Sequence, residues 1–460
     1  MKQFEMNFNE VNHLKSTLDA GQFFALLETS YGEALDAEKI TQVHNLAKDI
    51  DKKDFFAGLA FLDYIKENNE IDPIDKFKHL KEYANKSPLV YFSGKGRSEN
   101  EISERIADLS SAGALNYIAV SGDAYATEKE TQKQRYVDSI STLKIAKKRQ
   151  EKFSNGVVFN PFKYNANDSF AQYFKLVKKI RSGADFFVTQ AGWDMKKLHE
   201  TILFLKEREL CIPAIARLRL IQTEDMPKLR KLAIYPGAPL SPEFCSMIER
   251  EFSAGELQFD AVQYKRLAMQ IVGCKHMGFN GVQISGINTV QELNRLEEEI
   301  KQQEKELYSF HNWCQEWKNF HHAIPMCSPA HSFYMYSNLL NPGSKKDPQD
   351  HSSETLDFDK PSGAQLWKYK ISSLLKVEEK NPLLQRLICG NKKQDFDLKA
   401  SHYTALDQCP KKIYSGPCGG AAIDGTCEVS KKTCIHNEHL SIAAYFNDLD
   451  QLEDADEQNV

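Results

Sequence analysis

The chain has little excess charge of either sign: 59 lysines and arginines stand against 64 aspartates and glutamates, a formal net charge of −5. No strong positive field draws a polyanion to it, so nucleic acid is not an expected partner. Long apolar runs are missing as well. None approaches the roughly 18 residues a membrane-spanning helix needs, and the opening MKQFEMNFNEVNHLKS lacks the apolar core of a secretory leader. A cytoplasmic protein without a membrane partner is expected, in which thiols stay reduced. There is no repeat array, no GxGxxG loop of the Rossmann type and no paired CxxC…CxxC. The charged runs KKRQEK and EEEIKQQEKE mix both signs and read as solvated helix faces.

What is present is a series of short, nearly continuous apolar runs: 23–28, 55–62, 89–94, 116–123, 156–161, 185–190, 212–220 and 281–286. Unbroken apolar runs suit parallel strands buried on both faces. Amphipathic segments lie between them; one, SENEISERIADLSSAG, opens on a capping-box pattern and carries Ile102, Ile106 and Leu109 at helical spacing. SSAGALNYIAV, RSGADFFVTQ and KHMGFNGVQIS each end a helix near glycine and begin a strand. The expected fold is α/β, a (β/α)8 TIM barrel, with an open doubly wound sheet as the alternative. The expected divisions are a barrel over 1–300, a helical segment and linker over 301–380, and a smaller cysteine-rich, metal-binding C-terminal domain with an acidic tail over 381–460. The stretch from Thr289 to Trp317 reads as one long charged helix leading out of the barrel.

Barrel chemistry sits where strands end at their C-terminal side. That rule selects Glu28, Asp123 and Gln190, with Ser93 and Lys95 after the third strand. A carboxylate framed by Leu26 and Leu27 can serve as a general acid, or can simply bond a loop amide. Asp123 can face a ligand or cap a helix, and Gln190 offers a donor and an acceptor to a heterocycle or to a neighbouring loop.

GADFFVTQ, IAVSGD and FALLETS, in this order and spacing, resemble the sixth-, fourth- and first-strand phrases of the methylenetetrahydrofolate reductase family. The resemblance implies flavin-dependent reduction of 5,10-methylenetetrahydrofolate to 5-methyltetrahydrofolate in one-carbon and methionine metabolism, with NADH or NADPH as reductant and FAD as cofactor. It gives Glu28 the general-acid role, sets Asp123 between flavin and folate, and lays Gln190 on the pterin edge. Tyr91, Ser93, Ser121 and Lys179 become cofactor-binding positions, Lys179 approaching the phosphates. The chain departs from the family pattern at Ser121 (arginine), at Tyr91 (histidine), and at Gln172 and Lys175, where Asp and Asn are presented to FAD. FAD is therefore held differently or absent. The alternative is a flavin-free folate-binding subunit or scaffold presenting methyl-folate to a partner protein. A folate substrate and a homo-oligomer or partner subunit are the expected partners.

Four of ten cysteines crowd into CPKKIYSGPCGGAAIDGTCEVSKKTCIH. Cys409, Cys418, Cys427 and Cys434 are separated by eight, eight and six residues. Four thiolates can hold a structural zinc, an iron–sulfur cluster can relay electrons, and buried free thiols are the plain reading. CPKKIYSGPCGG, DGTCEV and TCIH resemble the C-terminal domain fused to atypical members of the same family, which often has a CGxC phrase upstream. Only CGN with Cys389 remains here, which favours a single zinc, with Cys389 as a substitute ligand and His436 and His439 as weaker ones. Cys211, Cys245 and Cys274 are expected in the core.

Overall fold

The computed structural model describes residues 12–29, 37–63, 72–149, 153–229, 231, 233–235, 237–343, 358–375 and 397–454. All eight expected strands are present: β1 Phe24–Thr29, β2 Phe56–Phe61, β3 Leu89–Ser93, β4 Asn116–Val120, β5 Ser154–Phe159, β6 Phe186–Thr189, β7 Ala214–Arg219 and, after a short hairpin, β10 Gly281–Ser285. Their order is β1-β10-β7-β6-β5-β4-β3-β2, and each neighbouring pair is parallel. Because β1 pairs with both β2 and β10, the ring closes and the open sheet is ruled out. The antiparallel hairpin β8 Ala233–Tyr235 and β9 Ala238–Pro239 was not expected from the sequence.

Alternation along each strand sorts the side chains. Phe24, Leu26, Tyr91, Ile118, Phe186, Val188 and Ile215 fill the ring, while Ala25, Leu27, Val90, Val157 and Phe187 meet the surrounding helices. The helices are α1 His13–Asp19, α2 Ala37–Ile50, α3 Pro73–Lys81, α4 Glu99–Ser111, α5 Glu128–Lys133, α6 Ser139–Lys148 and α7 Ala166–Arg181. They continue with α8 Met195–Glu207, α9 Met226–Leu229, α10 Pro242–Ser253, α11 Glu256–Met277, α12 Val290–Glu306, α13 Phe310–Phe320 and α14 Gly363–Leu374. The capping box of α4 forms between Ser98 and Glu101. Gly113, Gly183 and Gly278 end their helices at φ +84°, +103° and +102°, a region in which a side chain is strained. Among the described residues, no helix is long and apolar enough to cross a membrane.

The long helix expected from Thr289 to Trp317 is two. Buried Leu307 breaks it, and the Ser309 side chain caps α13 by accepting from the Asn312 N–H. Trp313 then turns inward, its Nε1 donating to Met269 O at 2.7 Å. Nor does α12 lead away from the barrel; Glu297 pairs with Lys53, tying it to the turn before β2. Cys245 and Cys274 are buried as expected, but Cys211 is exposed, because it sits in the turn before β7.

The C-terminal segment lies against the barrel. From its helix Ile435–Tyr445, Asn437 Nδ2 donates to Asp168 Oδ1 at 2.7 Å, and Asn167 Nδ2 on α7 donates to Ser441 Oγ at 2.8 Å. Glu453 accepts from Arg208 at 2.6 Å and lies 3.6 Å from Arg181.

Candidate functional site

Strand period brings one acid to the inner mouth of the ring. Phe24, Leu26 and Glu28 point the same way, so the residue that ends an apolar strand carries a carboxylate into the barrel. Two inward residues from other strands meet it. Arg217 on β7 donates from Nε to Glu28 Oε2 and from Nη2 to Oε1, both at 2.6 Å, a fork-on-fork ion pair. Gln283 on β10 donates from Nε2 to Glu28 Oε2 at 2.7 Å. The set extends both ways: Tyr91 Oη donates to Gln283 Oε1 at 2.9 Å, and Arg217 Nη1 donates to Gln190 Oε1 at 3.2 Å. Glu28, Arg217 and Gln283 are 8%, 7% and 0% exposed, so these polar groups face one another and the mouth rather than bulk water.

Of the residues selected from the sequence, Glu28, Tyr91 and Gln190 therefore belong to one connected set. Arg217 and Gln283 were overlooked. Their signal was a charged or amide residue at an inward position of AIARLR and GVQIS, strands otherwise built to be buried.

The other selected residues stand elsewhere. Asp123 is exposed beyond β4, and its backbone carbonyl accepts from Tyr136 Oη at 3.1 Å. Its carboxylate acts on Lys411 of the C-terminal segment: burial opposes the charge on Lys411, but Cys418, Glu428 and Asp123 outweigh it and hold the ammonium above its ordinary range. Ser93 is engaged locally, its N–H donating to Asp63 Oδ2 at 2.9 Å and its Oγ accepting from Lys95 N at 3.1 Å. Ser121 is half-buried at the end of β4. Lys179 is not at the mouth, because the second half of α7 packs along the outside of β5 and its Nζ donates to Val158 O. Burial, with Lys175 beside it, draws its ammonium down to about 7.

Gln172 and Lys175 occupy the positions from which the resemblance would present groups to a flavin. Loop 415–421 of the chain itself lies over them: Lys175 Nζ donates to Gly416 O at 3.1 Å. A Cβ placed on Gly419 would stand 3.7 Å from Gln172 Oε1. The residues on this face do not fit a flavin while the loop is seated.

The four cysteines do not assemble the expected metal site, since among the described residues no three His, Cys, Asp or Glu side chains converge on one point. Cys389 lies outside the described residues. Local contacts hold the thiols instead. Cys418 Sγ turns toward Glu428 Oε1 at 3.6 Å, and Glu428 is paired with Lys411 at 2.6 Å. Cys418 keeps solvent contact, yet enough protein surrounds its sulfur to push the thiol up to about 11. Burial likewise raises Cys409, against the backbone N–H groups of Ile413 and Lys411, and Cys434, against that of His436. His436 and His439 are spent elsewhere: His436 Nε2 contacts Ile413 O and His439 Nε2 contacts His402 Nδ1, each at 3.0 Å.

Comparison with known proteins follows the two halves of the chain. A family described as methylenetetrahydrofolate reductase matches residues 72–292, and one described as methylene-tetrahydrofolate reductase C terminal matches 398–459. The first match holds Tyr91, Gln190, Arg217 and Gln283; Glu28 precedes it. No curated protein matches the chain. Among solved structures, an uncharacterized protein from Clostridium thermocellum that binds two copies of 5-methyl-5,6,7,8-tetrahydrofolic acid is similar at 14% identity and TM-score 0.46, over 63% of this chain and 97% of that one. A 2,3-dimethylmalate lyase of the PEP mutase/isocitrate lyase superfamily is similar at 10% identity and TM-score 0.36, over 64% and 83%. With a closed barrel matched through most of its length and a second, separate match on the cysteine-rich end, the chain carries a methylenetetrahydrofolate reductase family domain over residues 72–292 and that family's C-terminal domain over 398–459.

Proposed function

We propose that the barrel mouth binds the pterin of a reduced folate, and that the chain reduces 5,10-methylenetetrahydrofolate to 5-methyltetrahydrofolate. The observation that carries this reading is the joined set of Glu28, Arg217, Gln283, Tyr91 and Gln190 at one end of the ring. A pterin edge presents N–H donors beside a carbonyl acceptor. The Gln190 amide can answer both, and the Glu28–Arg217 pair adds an acceptor and a donor surface in a site shielded from water.

In the reaction, the bond between N10 and the methylene carbon breaks and its electron pair takes a proton at N10. The carbon is left as an N5-iminium, and a hydride converts it to methyl. Glu28 is the proposed holder of that proton. With no folate bound, its two oxygens accept three hydrogen bonds, so donation requires Gln283 or Arg217 to turn toward the ligand. The hydride originates in NADH or NADPH. Asp123, at another part of the rim, is assigned no step.

The test is calorimetric titration of the purified chain with 5-methyltetrahydrofolate, alongside nicotinamide oxidation with methylenetetrahydrofolate. Binding of neither folate would end the reading. A second reading, a folate-binding subunit without reductase activity of its own, is favoured by the loop over Lys175. Folate binding with no methyl-folate formed, whether or not flavin is supplied, would select it. Metal analysis of the same sample tests the zinc expectation.

A further inference from the structure

The rim of the barrel around β4 and β5 is filled by the chain's own backbone. Five side chains fasten loop 415–421 and its approach to four barrel elements or the turns beside them. Lys175 Nζ on α7 donates to Gly416 O at 3.1 Å. Asn160 Nδ2, just after β5, donates to Gly419 O and to Gly237 O, each at 2.8 Å. Lys163 Nζ donates to Ala421 O at 2.7 Å and to Gly237 O at 3.3 Å. Lys411 Nζ donates to Gly122 O after β4 at 3.0 Å, and Ser415 Oγ donates to Asp138 at the start of α6. Asn160, Lys163 and Lys175 are buried beneath it. Buried amide and ammonium donors that lost these carbonyls would be left without partners unless water followed, which holds the loop down.

The seat is also tight. A Cβ on Gly237 would lie 2.1 Å from Gly419 O, and one on Gly416 would lie 3.2 Å from Lys175 Cδ. Gly416 and Gly419 adopt φ +135° and +89°, so glycine lets the loop follow the barrel surface this closely. The connected set around Glu28 lies clear of the loop, on β1, β3, β7, β10 and the end of β6.

We propose that loop 415–421 is a fixed part of the rim that stands where a flavin would otherwise lie on α7, so that this chain binds its folate with no flavin of its own. The folate half rests on the reading above; the flavin half does not. The full chain is purified, any flavin released from it by acid is measured, and it is titrated separately with FAD, with FMN and with 5-methyltetrahydrofolate. Hydrogen exchange is followed across 416–421. The expected result is no released flavin, no quenching of added flavin fluorescence, folate binding, and slow exchange in the loop unchanged by FAD. In Asn160→Ala/Lys175→Ala, exchange across 416–421 should quicken while folate affinity stays at the wild-type value. Stoichiometric flavin in the wild-type protein, or quenching of added FAD by it, overturns the proposal. Loop exchange as fast in the wild type as in the double variant does so too. Absence of folate binding would strike the folate reading alone.

Discussion

Arg217 is the residue on which the mouth of the barrel turns. It neutralises Glu28 through both oxygens in a nearly water-free site and reaches Gln190 with its remaining arm. Removing one partner of such a pair leaves the other buried without its counter-charge, a loss of about 3 kcal/mol or more. Arg217→Met should lower the urea midpoint accordingly, and adding Glu28→Gln should restore most of it; equal midpoints for Arg217→Met and wild type would show that the pair contributes little. A second residue-scale effect concerns acid. His321 packs against Trp317 at 3.9 Å between ring centroids, and burial, with Arg266 and His322 nearby, draws it down to about 2. In the unfolded chain a histidine protonates near 6.5. The unfolded state therefore binds the extra proton between these values, and the stabilisation is whole above pH ~6.5 and is lost as pH falls, by about 1.4 kcal/mol per unit. His436, drawn down to about 3, and His199, to about 4, act in the same direction. His321→Phe should flatten the acid limb of a plot of melting temperature against pH; an unchanged limb would remove His321 from the account.

Among the elements, the strands were legible and the joins between helices were not. Runs such as LVYFS and FFVT are apolar on both faces because one side packs in the ring and the other on helices. The same redundancy hid Arg217 and Gln283, whose direction follows only from register. The break at Leu307–Ser309 was equally hidden: a charged helical pattern runs through it, and the turn exists because Trp313 and Leu307 have a core to enter. Close approach between elements shows at Gly94, where β3 ends. Its N–H donates to Val120 O at 2.9 Å, its carbonyl accepts from Val137 N at 3.0 Å, and a Cβ would lie 1.7 Å from Val137 O. Gly94→Ala should cost roughly 1–3 kcal/mol by forcing these backbones apart. A melting temperature equal to wild type would contradict that contact.

In the whole molecule, the cysteine-rich end is bound to the barrel through buried polar contacts rather than hung from it. Asn437 meets Asp168, Asn167 meets Ser441, and Glu453 bridges toward Arg181 and Arg208. Leu440 and Ala443 join the main apolar core. The two parts should therefore melt as one. A chain ended at residue 396 is expected to unfold at a lower temperature and to expose apolar surface to a reporter dye; an unchanged melting curve for the shortened barrel would show the halves to be independent.

The sequence by itself determined the eight parallel strands and the helices between them, because burial on both faces of a strand leaves a short, nearly unbroken apolar run; closure of the ring followed only from the pairing of β1 with β10. The sequence also carried the two family matches, over 72–292 and over 398–459. Only the tertiary structure decided which polar side chains share a space. Glu28 and Arg217 lie 189 positions apart, and Lys175 and Gly416 lie 241 apart. Such pairings follow from ring closure and from the seating of one segment on another, which no local spacing encodes. The same seating brought Lys411 of the C-terminal segment to Asp123 and to Gly122 O after β4.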